Sequence, residues 1–282
     1  MLACNVSCAL SGMEGRQIQL AVDFFDLDRM ADSGQCFRWE KIDANHYRIP
    51  AFGKLLTISQ PTPDLIQADC SPQDWQRVWA PYFDMDTDYP AIVREIDPQD
   101  SYLQAAAKVS YGMRILRQEL WETMLSFIIS QNNNIPRIKQ IIQRLCDAFG
   151  KFPEADVIAS SSIATLRELG LGYRASYLLE AAGHYLRDQQ DKRFGPGDYA
   201  QWRLYLQSYK GIGVKVADCI CLFSLGHKEA FPIDTWIRKI MNDYYGGHFP
   251  IERYAKCAGV LQQYMFYYER TRSRGNTGKE NA

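Results

Sequence analysis

The chain has 282 residues, which is enough for one large domain or two ordinary ones, with a core of useful size. Hydrophobic residues make up 46% and charged residues 23%, as in an ordinary globular protein. The net charge of −1 excludes a generally basic protein, so any binding to a polyanion must depend on locally placed Arg and Lys.

Short strand-like segments follow in the first third of the chain. Residues 36–42, 46–52 and 54–59 are aromatic and β-branched, and turn residues separate them. Pro50 lies inside the second segment, which predicts that this strand lies at an edge or is interrupted. The pattern predicts an N-terminal α+β domain with an antiparallel sheet, over residues 15–112.

From about Ser101 the pattern becomes helical. In residues 119–131, apolar side chains at Leu120, Met124, Phe127 and Ile128 fall on one helical face. Further helices are predicted over residues 137–150, 162–169, 174–187, 198–207, 213–225, 234–244 and 251–268. We therefore expect an all-α domain over residues 113–270, followed by a polar, disordered tail over residues 271–282.

The cysteines and the chain start indicate a compartment. Eight cysteines are scattered along the chain, several in apolar segments, as expected for buried free thiols in a reducing environment. No C-x-x-C pair occurs and only four histidines are present, so no zinc site is expected. The first residues do not resemble a signal peptide, and no apolar run reaches the roughly 18 residues of a membrane span. We expect an intracellular protein, located either in the cytoplasm and nucleoid or in a nucleus. We expect no contact with a membrane.

The stretch SYKGIGVKVADCICLF, residues 208–223, combines glycines with a lysine among apolar residues. Gly211 and Gly213 permit a tight turn between two helices, and the N–H groups that begin the second helix are suited to bind a phosphate. Lys215 lies in the first turn of that helix, and Asp234 begins the next one. Taken singly, Asp234 fits a helix N-cap, and Lys215 fits a lysine that reaches solvent or a phosphate.

Together, the hairpin, Lys215 and Asp234 resemble the active site of the helix-hairpin-helix base-excision DNA glycosylases. Further segments are similar to the eukaryotic-type 8-oxoguanine DNA glycosylase family: SGQCFRW (33–39), SFIISQNNNIPRI (126–138), LGLGYRASYL (169–178) and AGVLQQYMF (258–266). The resemblance extends from about residue 20 to residue 270 in the same order. It implies a bifunctional enzyme that flips 8-oxoguanine out of duplex DNA, excises it and cleaves the strand at the abasic site.

The resemblance implies that two residues carry the reaction. Lys215 would be the nucleophile that attacks the sugar C1′ and forms a Schiff base. Asp234 would remain ionised and stabilise positive charge that develops on the sugar. We expect the apolar neighbours Val214, Val216 and Cys219 to withdraw the amine from water.

A pocket for the extruded base is implied at Gly34, Cys219, Gln262 and Phe266. 8-Oxoguanine carries a proton on N7 where guanine has an acceptor, and the Gly34 carbonyl would accept it. The Gln262 amide would meet the purine edge, and Phe266, four residues later on the same helical face, would stack on the base opposite Cys219. Without the resemblance, Gly34 fits a turn, Gln262 a solvated position, and Phe266 and Cys219 a core.

Further contacts are implied with the rest of the DNA. The orphaned cytosine has donors and acceptors that suit amide and guanidinium groups. An inserted side chain, acting as a wedge, would fill the gap that the extruded base leaves in the base stack. The residues implied are Asn132, Arg137 and Arg174 for the cytosine, Tyr173 for the wedge, and Gly211 and Gly213 for the backbone. Without the resemblance, helix capping before Pro136 explains one of the three consecutive asparagines well, but it explains all three poorly. The implied partner is damaged double-stranded DNA, bound by a monomer.

Two positions depart from the family pattern, and both concern phosphate contacts. Trp236 stands where histidine is usual, and Lys210 stands where proline is common. No iron–sulfur cluster is expected, because only Cys257 follows Cys221. Relatives also imply a monovalent cation on the backbone carbonyls of Gln207, Tyr209 and Ile212.

Two other functions stay open on these residues. An alkylpurine DNA glycosylase of the same fold generally lacks the hairpin lysine, so Lys215 argues against it. A non-catalytic helix-hairpin-helix DNA-binding module would not need Lys215 and Asp234 together.

Overall fold

The computed structural model describes residues 17–277, with side chains as far as Arg274. This part of the chain divides into two compact units, with the boundary between Leu116 and Arg117. The division falls a few residues after 112/113, where the sequence analysis placed it.

The N-terminal unit contains a five-stranded antiparallel sheet in the order β1-β5-β4-β3-β2. Its strands are β1 (Gln17–Ala21), β2 (Glu40–Lys41), β3 (His46–Ala51), β4 (Lys54–Thr62) and β5 (Leu65–Asp69). Exposed and buried residues alternate along β1, as expected when one face of a sheet is buried. The predicted fold class, an antiparallel sheet followed by a helical part, is confirmed.

Pro50 occupies a local edge of this sheet. It pairs with Leu55 of β4 on one side, whereas β2 on the other side pairs only with Arg48 and Tyr47. Proline has no N–H to donate, so a strand accepts it where no neighbouring strand requires that donor. The prediction is therefore wrong for the strand as a whole, because β3 is continuous and lies between β4 and β2, although Pro50 itself lies beyond the end of β2.

Short helices and an aromatic cluster complete the N-terminal unit. The helices are α1 (Leu27–Asp32), α2 (Pro72–Asp74), α3 (Ala80–Tyr82), α4 (Tyr89–Arg94) and α5 (Ser101–Val109), with a π-helical turn at Trp75–Trp79. The Trp39 Nε1–H donates to the Tyr82 hydroxyl at 2.7 Å, and the Trp39 and Phe83 rings meet edge to face. These buried rings lie in the core of the unit.

The C-terminal unit is helical. Its helices are α6 (Leu120–Ser130), α7 (Ile135–Phe149), α8 (Ala155–Ala159), α9 (Ile163–Leu166), α10 (Arg174–Gln190), α11 (Tyr199–Leu206), α12 (Val214–Phe223), α13 (Thr235–Tyr244) and α14 (Ala258–Thr277). A π-helical turn spans Arg167–Leu171 and a 3₁₀ turn spans Ile251–Tyr254. Helix α6 is buried from Trp121 to Ile129, not on one face only as predicted, because α7, α10 and α12 all pack against it.

Two predictions near the C-terminus are wrong in part. The helix predicted over residues 251–268 is interrupted: a 3₁₀ turn ends at Tyr254, and α14 begins at Ala258. The tail predicted to be disordered from residue 271 is helical as far as Thr277. The rest of that prediction, residues 278–282, lies outside the described part of the chain.

The described residues contain no helix that is both long and apolar enough to cross a membrane. Within the same residues, no three His, Cys, Asp or Glu side chains are grouped as a metal site requires. Six of the cysteines fall in this part of the chain, and all six are free thiols: Cys36, Cys70, Cys146, Cys219, Cys221 and Cys257.

Candidate active site

The predicted hairpin connects α11 to α12. The Ile212 N–H donates to the Tyr209 carbonyl at 3.1 Å and closes a four-residue turn. Gly211, the third residue of the turn, has φ +83°, and a Cβ there would lie 2.7 Å from the Tyr177 ring, so both conformation and space require glycine. Gly213 is different: its φ is −91°, and a Cβ would meet nothing within 4 Å. The helix start at Gly213 is therefore open to an approaching ligand.

Lys215 lies half-buried in the first turn of α12. Its Nζ is 5.4 Å from the centroid of the buried Phe127 ring, and Phe127 stacks on Phe223 from α12. A cation over an aromatic face is attracted by the ring. Val214 is 47% exposed, so the expectation that it helps to withdraw the amine from water is wrong. The neighbours of the amine are Phe127 of α6 and the buried Cys219 of α12.

Asp234 is the N-cap of α13, and its carboxylate accepts the Ile237 N–H at 2.8 Å. Burial raises the pKa of this carboxyl above its usual value, and the positive charge of Lys215 opposes that rise. Burial also raises the pKa of the Cys219 thiol to about 11, again against the influence of Lys215. The three side chains therefore share one electrostatic environment, in which the thiol is neutral. Asp234 therefore both caps α13 and interacts with Lys215, and the capping hydrogen bond holds its carboxylate in that position.

Helix α14 contributes Gln262 and Phe266. Gln262 is only 4% exposed, and its Oε1 is buried without a hydrogen-bond partner among the described residues. A buried acceptor without a partner lowers stability by about 1–3 kcal/mol, which indicates that Gln262 serves ligand binding and not stability. Phe266 is half-exposed, with the Arg270 guanidinium 5.7 Å from its ring centroid. The expectation from pattern alone, a solvated Gln262 and a core Phe266, is wrong for both.

Gly34 lies in the N-terminal unit and has φ +81°. Its neighbours Ser33 and Gln35 are fully buried. The Gln35 amide donates to the Arg114 carbonyl at 2.9 Å and accepts the Leu116 N–H at 2.8 Å. Gly34 is thus held in a conformation that favours glycine, whatever its carbonyl binds.

The asparagines between α6 and α7 have separate roles. Asn133 Nδ2 donates to the Ile129 carbonyl at the end of α6, and Asn134 Oδ1 accepts the Arg137 N–H at the start of α7. Asn132 caps neither helix: it is exposed, has φ +48°, and its Nδ2 donates to the Tyr173 hydroxyl. Capping thus explains two asparagines, not one as expected, and leaves Asn132 available.

Arg174 and Tyr173 begin α10 beside this connection. Arg174 is 6% exposed; its Nε donates to the Gln131 carbonyl at 2.9 Å and one terminal nitrogen to the Asn132 carbonyl at 3.1 Å. Tyr173 is exposed, with the Arg174 guanidinium 4.6 Å from its ring centroid. Arg137 is exposed, and its guanidinium has no partner among the described side chains. The structure thus brings Asn132, Tyr173 and Arg174 together, with Arg174 largely engaged by backbone.

Both departures from the family pattern are accessible to solvent. Trp236 is half-exposed in the first turn of α13, and its backbone N–H also donates to Asp234. Lys210 is exposed, with its Nζ 3.9 Å from Glu180 of α10. Of the carbonyls expected to bind a cation, that of Tyr209 already accepts the Ile212 N–H, which leaves one of its two lone pairs.

Gln131 is a residue that the sequence analysis missed. Its Nε2 donates to the Gly211 carbonyl at 2.8 Å and to the Ile128 carbonyl at 3.2 Å, so it connects the end of α6 with the hairpin. Its position directly before the asparagines was the available signal. Sequence alone does not show which carbonyl, 80 residues away in the chain, receives the bond.

Two family models match the chain. The model for the N-terminal domain of 8-oxoguanine DNA glycosylase matches residues 17–124. The model for the HhH-GPD superfamily base excision DNA repair protein matches residues 125–257. The second match contains the hairpin, Lys215 and Asp234.

Individual relatives agree with these models. The N-glycosylase/DNA lyase of Saccharomyces cerevisiae is 35% identical over 63% of this chain and 54% of that protein. N-glycosylase/DNA lyase OGG1 of Arabidopsis thaliana is 27% identical over 75% of this chain and 64% of that protein, so the chain spans less than two thirds of either relative. A solved Clostridium acetobutylicum 8-oxoguanine glycosylase/lyase, in complex with double-stranded DNA containing cytosine opposite 8-oxoguanine, is 30% identical. It superposes with a TM-score of 0.83, covering 92% of this chain and 97% of that one.

Proposed function

The chain belongs to the 8-oxoguanine DNA glycosylase family, and we propose that it excises 8-oxoguanine from duplex DNA and cleaves the strand at the resulting abasic site. The observation that carries this proposal is the shared environment of Lys215 and Asp234, at the first turns of α12 and α13. A DNA-binding module without catalysis would use Asp234 as a helix N-cap, but it would not need that half-buried carboxylate beside a lysine.

Lys215 is the proposed nucleophile. Its amine lone pair forms a bond to the sugar C1′, and the bond from C1′ to the base breaks with its electrons leaving on the base, which takes up a proton. The product opens to a Schiff base on the lysine. Loss of a C2′ proton then drives elimination of the 3′ phosphate and cuts the strand.

Asp234 is proposed to act electrostatically. As the base leaves, positive charge develops on the sugar, and an ionised carboxylate nearby stabilises it. Its N-cap hydrogen bond to the Ile237 N–H holds the carboxylate in place before the reaction begins. Burial raises the pKa of this carboxyl, and the Ile237 hydrogen bond and the nearby Lys215 charge oppose that rise, in favour of the ionised form that this role needs.

Recognition of the extruded base is proposed for Gly34, Cys219, Gln262 and Phe266. The Gly34 carbonyl would accept the N7 proton that only the oxidised base carries. The partnerless Gln262 Oε1 gives the strongest support, because a purine donor would relieve an unfavourable buried acceptor. Phe266 offers a half-exposed ring for stacking, and the neutral Cys219 thiol would form the facing wall.

DNA beyond the lesion is proposed to meet the surface at Asn132 and the hairpin. Asn132 and Arg137 would read the orphaned cytosine, with Arg174 reaching it through its remaining donor, and Tyr173 would wedge into the stack. Gly211 and Gly213 would serve the DNA backbone: Gly211 holds the turn against Tyr177, and the open position at Gly213 would admit a phosphate to the N–H groups that begin α12. The hairpin carbonyls of Gln207, Tyr209 and Ile212 are offered as ligands for a monovalent cation. We further propose that the enzyme acts as a monomer inside the cell, where its DNA substrate lies.

The test is excision from a panel of duplexes with defined lesions. Purified enzyme should release 8-oxoguanine opposite cytosine fastest and nick the same strand, whereas an undamaged guanine duplex should stay intact. Release of alkylated purines in place of 8-oxoguanine would favour the alkylpurine alternative. Binding without release of any base would favour a non-catalytic module.

A further inference from the structure

One face of α10 holds the hairpin turn at three successive residues. Tyr177, Glu180, His184 and Asp188, here called the α10 clamp, are spaced at three- and four-residue intervals and so share a helical face. Tyr177 packs where Gly211 has no side chain, and Glu180 lies 3.9 Å from Lys210. The His184 ring stacks on the Tyr209 ring with centroids 4.0 Å apart.

Asp188 is the buried end of the clamp, at 2% exposure. A single carboxylate oxygen, Oδ2, accepts both the Tyr209 hydroxyl and the Tyr205 hydroxyl, the latter at 2.6 Å. His184 Nε2 and Arg193 Nε lie 3.7 Å and 3.8 Å from the other oxygen. Burial and the Asp188 charge raise the pKa of Tyr205 to about 12 and that of Tyr209 further. Both hydroxyls therefore stay protonated and keep donating at any working pH.

Apart from its contact with His184 one turn earlier, Asp188 is unfavourably placed in its own helix. It lies in the last turn of α10, where the partial negative charge of the helix end disfavours a carboxylate. A buried carboxylate is also unfavourable unless hydrogen bonds compensate for lost hydration. The hydrogen-bond donors are the Tyr205 hydroxyl of α11 and the Tyr209 hydroxyl of the hairpin turn. The carboxylate therefore fixes the positions of these two elements.

Tyr209 links this position to the start of α12, where a phosphate is proposed to bind. Its carbonyl accepts the Ile212 N–H and closes the turn, and Gly213 follows as the N-cap of α12. Gln131 holds the Gly211 carbonyl from the other side. A turn fixed at its first and third residues presents the following N–H groups in one orientation.

We propose that Asp188 is a positioning residue for DNA binding, which holds the hairpin turn through the Tyr209 hydroxyl so that the start of α12 meets a phosphate. The inference rests on the proposed function, because it assumes that the hairpin contacts DNA. Asp188 itself touches no substrate.

The test compares Tyr209→Phe with Tyr205→Phe in the full chain. Both substitutions remove one hydroxyl from the same Asp188 oxygen, but only Tyr209 belongs to the turn. Affinity for an undamaged duplex is measured as a function of salt concentration, together with Tm. The slope of log affinity against log salt counts phosphate contacts, about 0.9 for each, and it does not depend on the fraction of folded protein.

Tyr209→Phe should bind DNA about 2- to 10-fold more weakly, the effect of one lost hydrogen bond, and its salt slope should fall by up to about 0.9. Tyr205→Phe should lose similar Tm but keep the wild-type slope. If Tyr209→Phe fails to fold, Asp188→Asn replaces it, with the same fall in slope expected. Equal salt slopes in the wild type and in the folded hairpin variant would overturn this inference but leave the proposed function intact. A wild-type protein that shows no salt-dependent duplex binding would overturn the proposed function as well.

Discussion

Replacing Arg174 with alanine should lower both stability and selection of the opposite base. The buried guanidinium donates to the Gln131 and Asn132 carbonyls, and each carbonyl left without its donor costs about 1–3 kcal/mol. A loss of about 2 kcal/mol lowers Tm by about 4–8 °C in a domain of this size. If the remaining donor also reads cytosine, excision opposite cytosine should slow by about 5- to 160-fold more than opposite adenine, for about 1–3 kcal/mol of discrimination.

The assay combines thermal denaturation with single-turnover excision opposite each of the four bases. Arg137→Ala is the matched control, because its exposed guanidinium has no partner among the described side chains and its Tm should stay unchanged. Arg174→Lys should behave like the alanine variant in stability, since an ammonium lacks the fork that spans two carbonyls. An unchanged Tm in Arg174→Ala would refute the stability reasoning, and equal slowing against all four bases would refute the role in base selection.

Three further substitutions test other parts of the site. Asp234→Asn should lose most excision activity. It should nevertheless raise Tm at neutral pH, because burial raises the pKa of this carboxyl and the ionised form therefore destabilises the folded protein. The gain in Tm should shrink as the pH falls through the raised pKa towards 3.8, since the wild-type carboxyl then becomes neutral as well. Phe266→Ala should slow 8-oxoguanine excision by about 5- to 160-fold, from about 1–3 kcal/mol of lost stacking, while cleavage of a preformed abasic site continues. Gly259→Ala should destabilise the protein by about 1–3 kcal/mol in denaturant unfolding, because a Cβ would lie 2.2 Å from the Ala230 carbonyl oxygen.

Matched variants make these outcomes decisive. Asp198→Asn changes an exposed N-cap of α11 and should leave Tm nearly unchanged; an equal gain there would contradict the burial argument for Asp234. Gly183→Ala places a Cβ at an ordinary 3.7 Å from Arg187 within α10, so it should stabilise. If Phe266→Ala loses both activities while still binding DNA, Phe266 belongs to the core.

Local sequence was sufficient to place Lys215 and Asp234 at the starts of two helices, whereas their pairing as candidate catalytic residues came from the family resemblance. Lys215 and Asp234 lie in or before the first turn of a helix, and helix starts depend on neighbouring residues such as Gly213. The capping of α7 by Asn134 is local in the same way. These features needed no knowledge of distant contacts.

Contacts between distant segments could not be predicted in the same way. Strand β1 was missed because its partner, β5, lies about 50 residues later and pairs Gln17 with Asp69. The engagement of Arg174 by the Gln131 carbonyl, and of Asp188 by the Tyr209 hydroxyl, joins residues 43 and 21 positions apart. A side chain that satisfies a remote carbonyl or hydroxyl leaves no periodic signal in the sequence.

The most direct test of the central claim is trapping of the covalent intermediate with borohydride. Borohydride reduces a Schiff base to a stable amine, so wild-type enzyme incubated with an 8-oxoguanine duplex should migrate as a protein–DNA adduct. Lys215→Gln should bind the duplex and form no adduct. Lys210→Gln, which removes the neighbouring exposed lysine of the hairpin, should still be trapped. An adduct that persists in Lys215→Gln, or disappears only in Lys210→Gln, would contradict the assignment of Lys215 as the nucleophile.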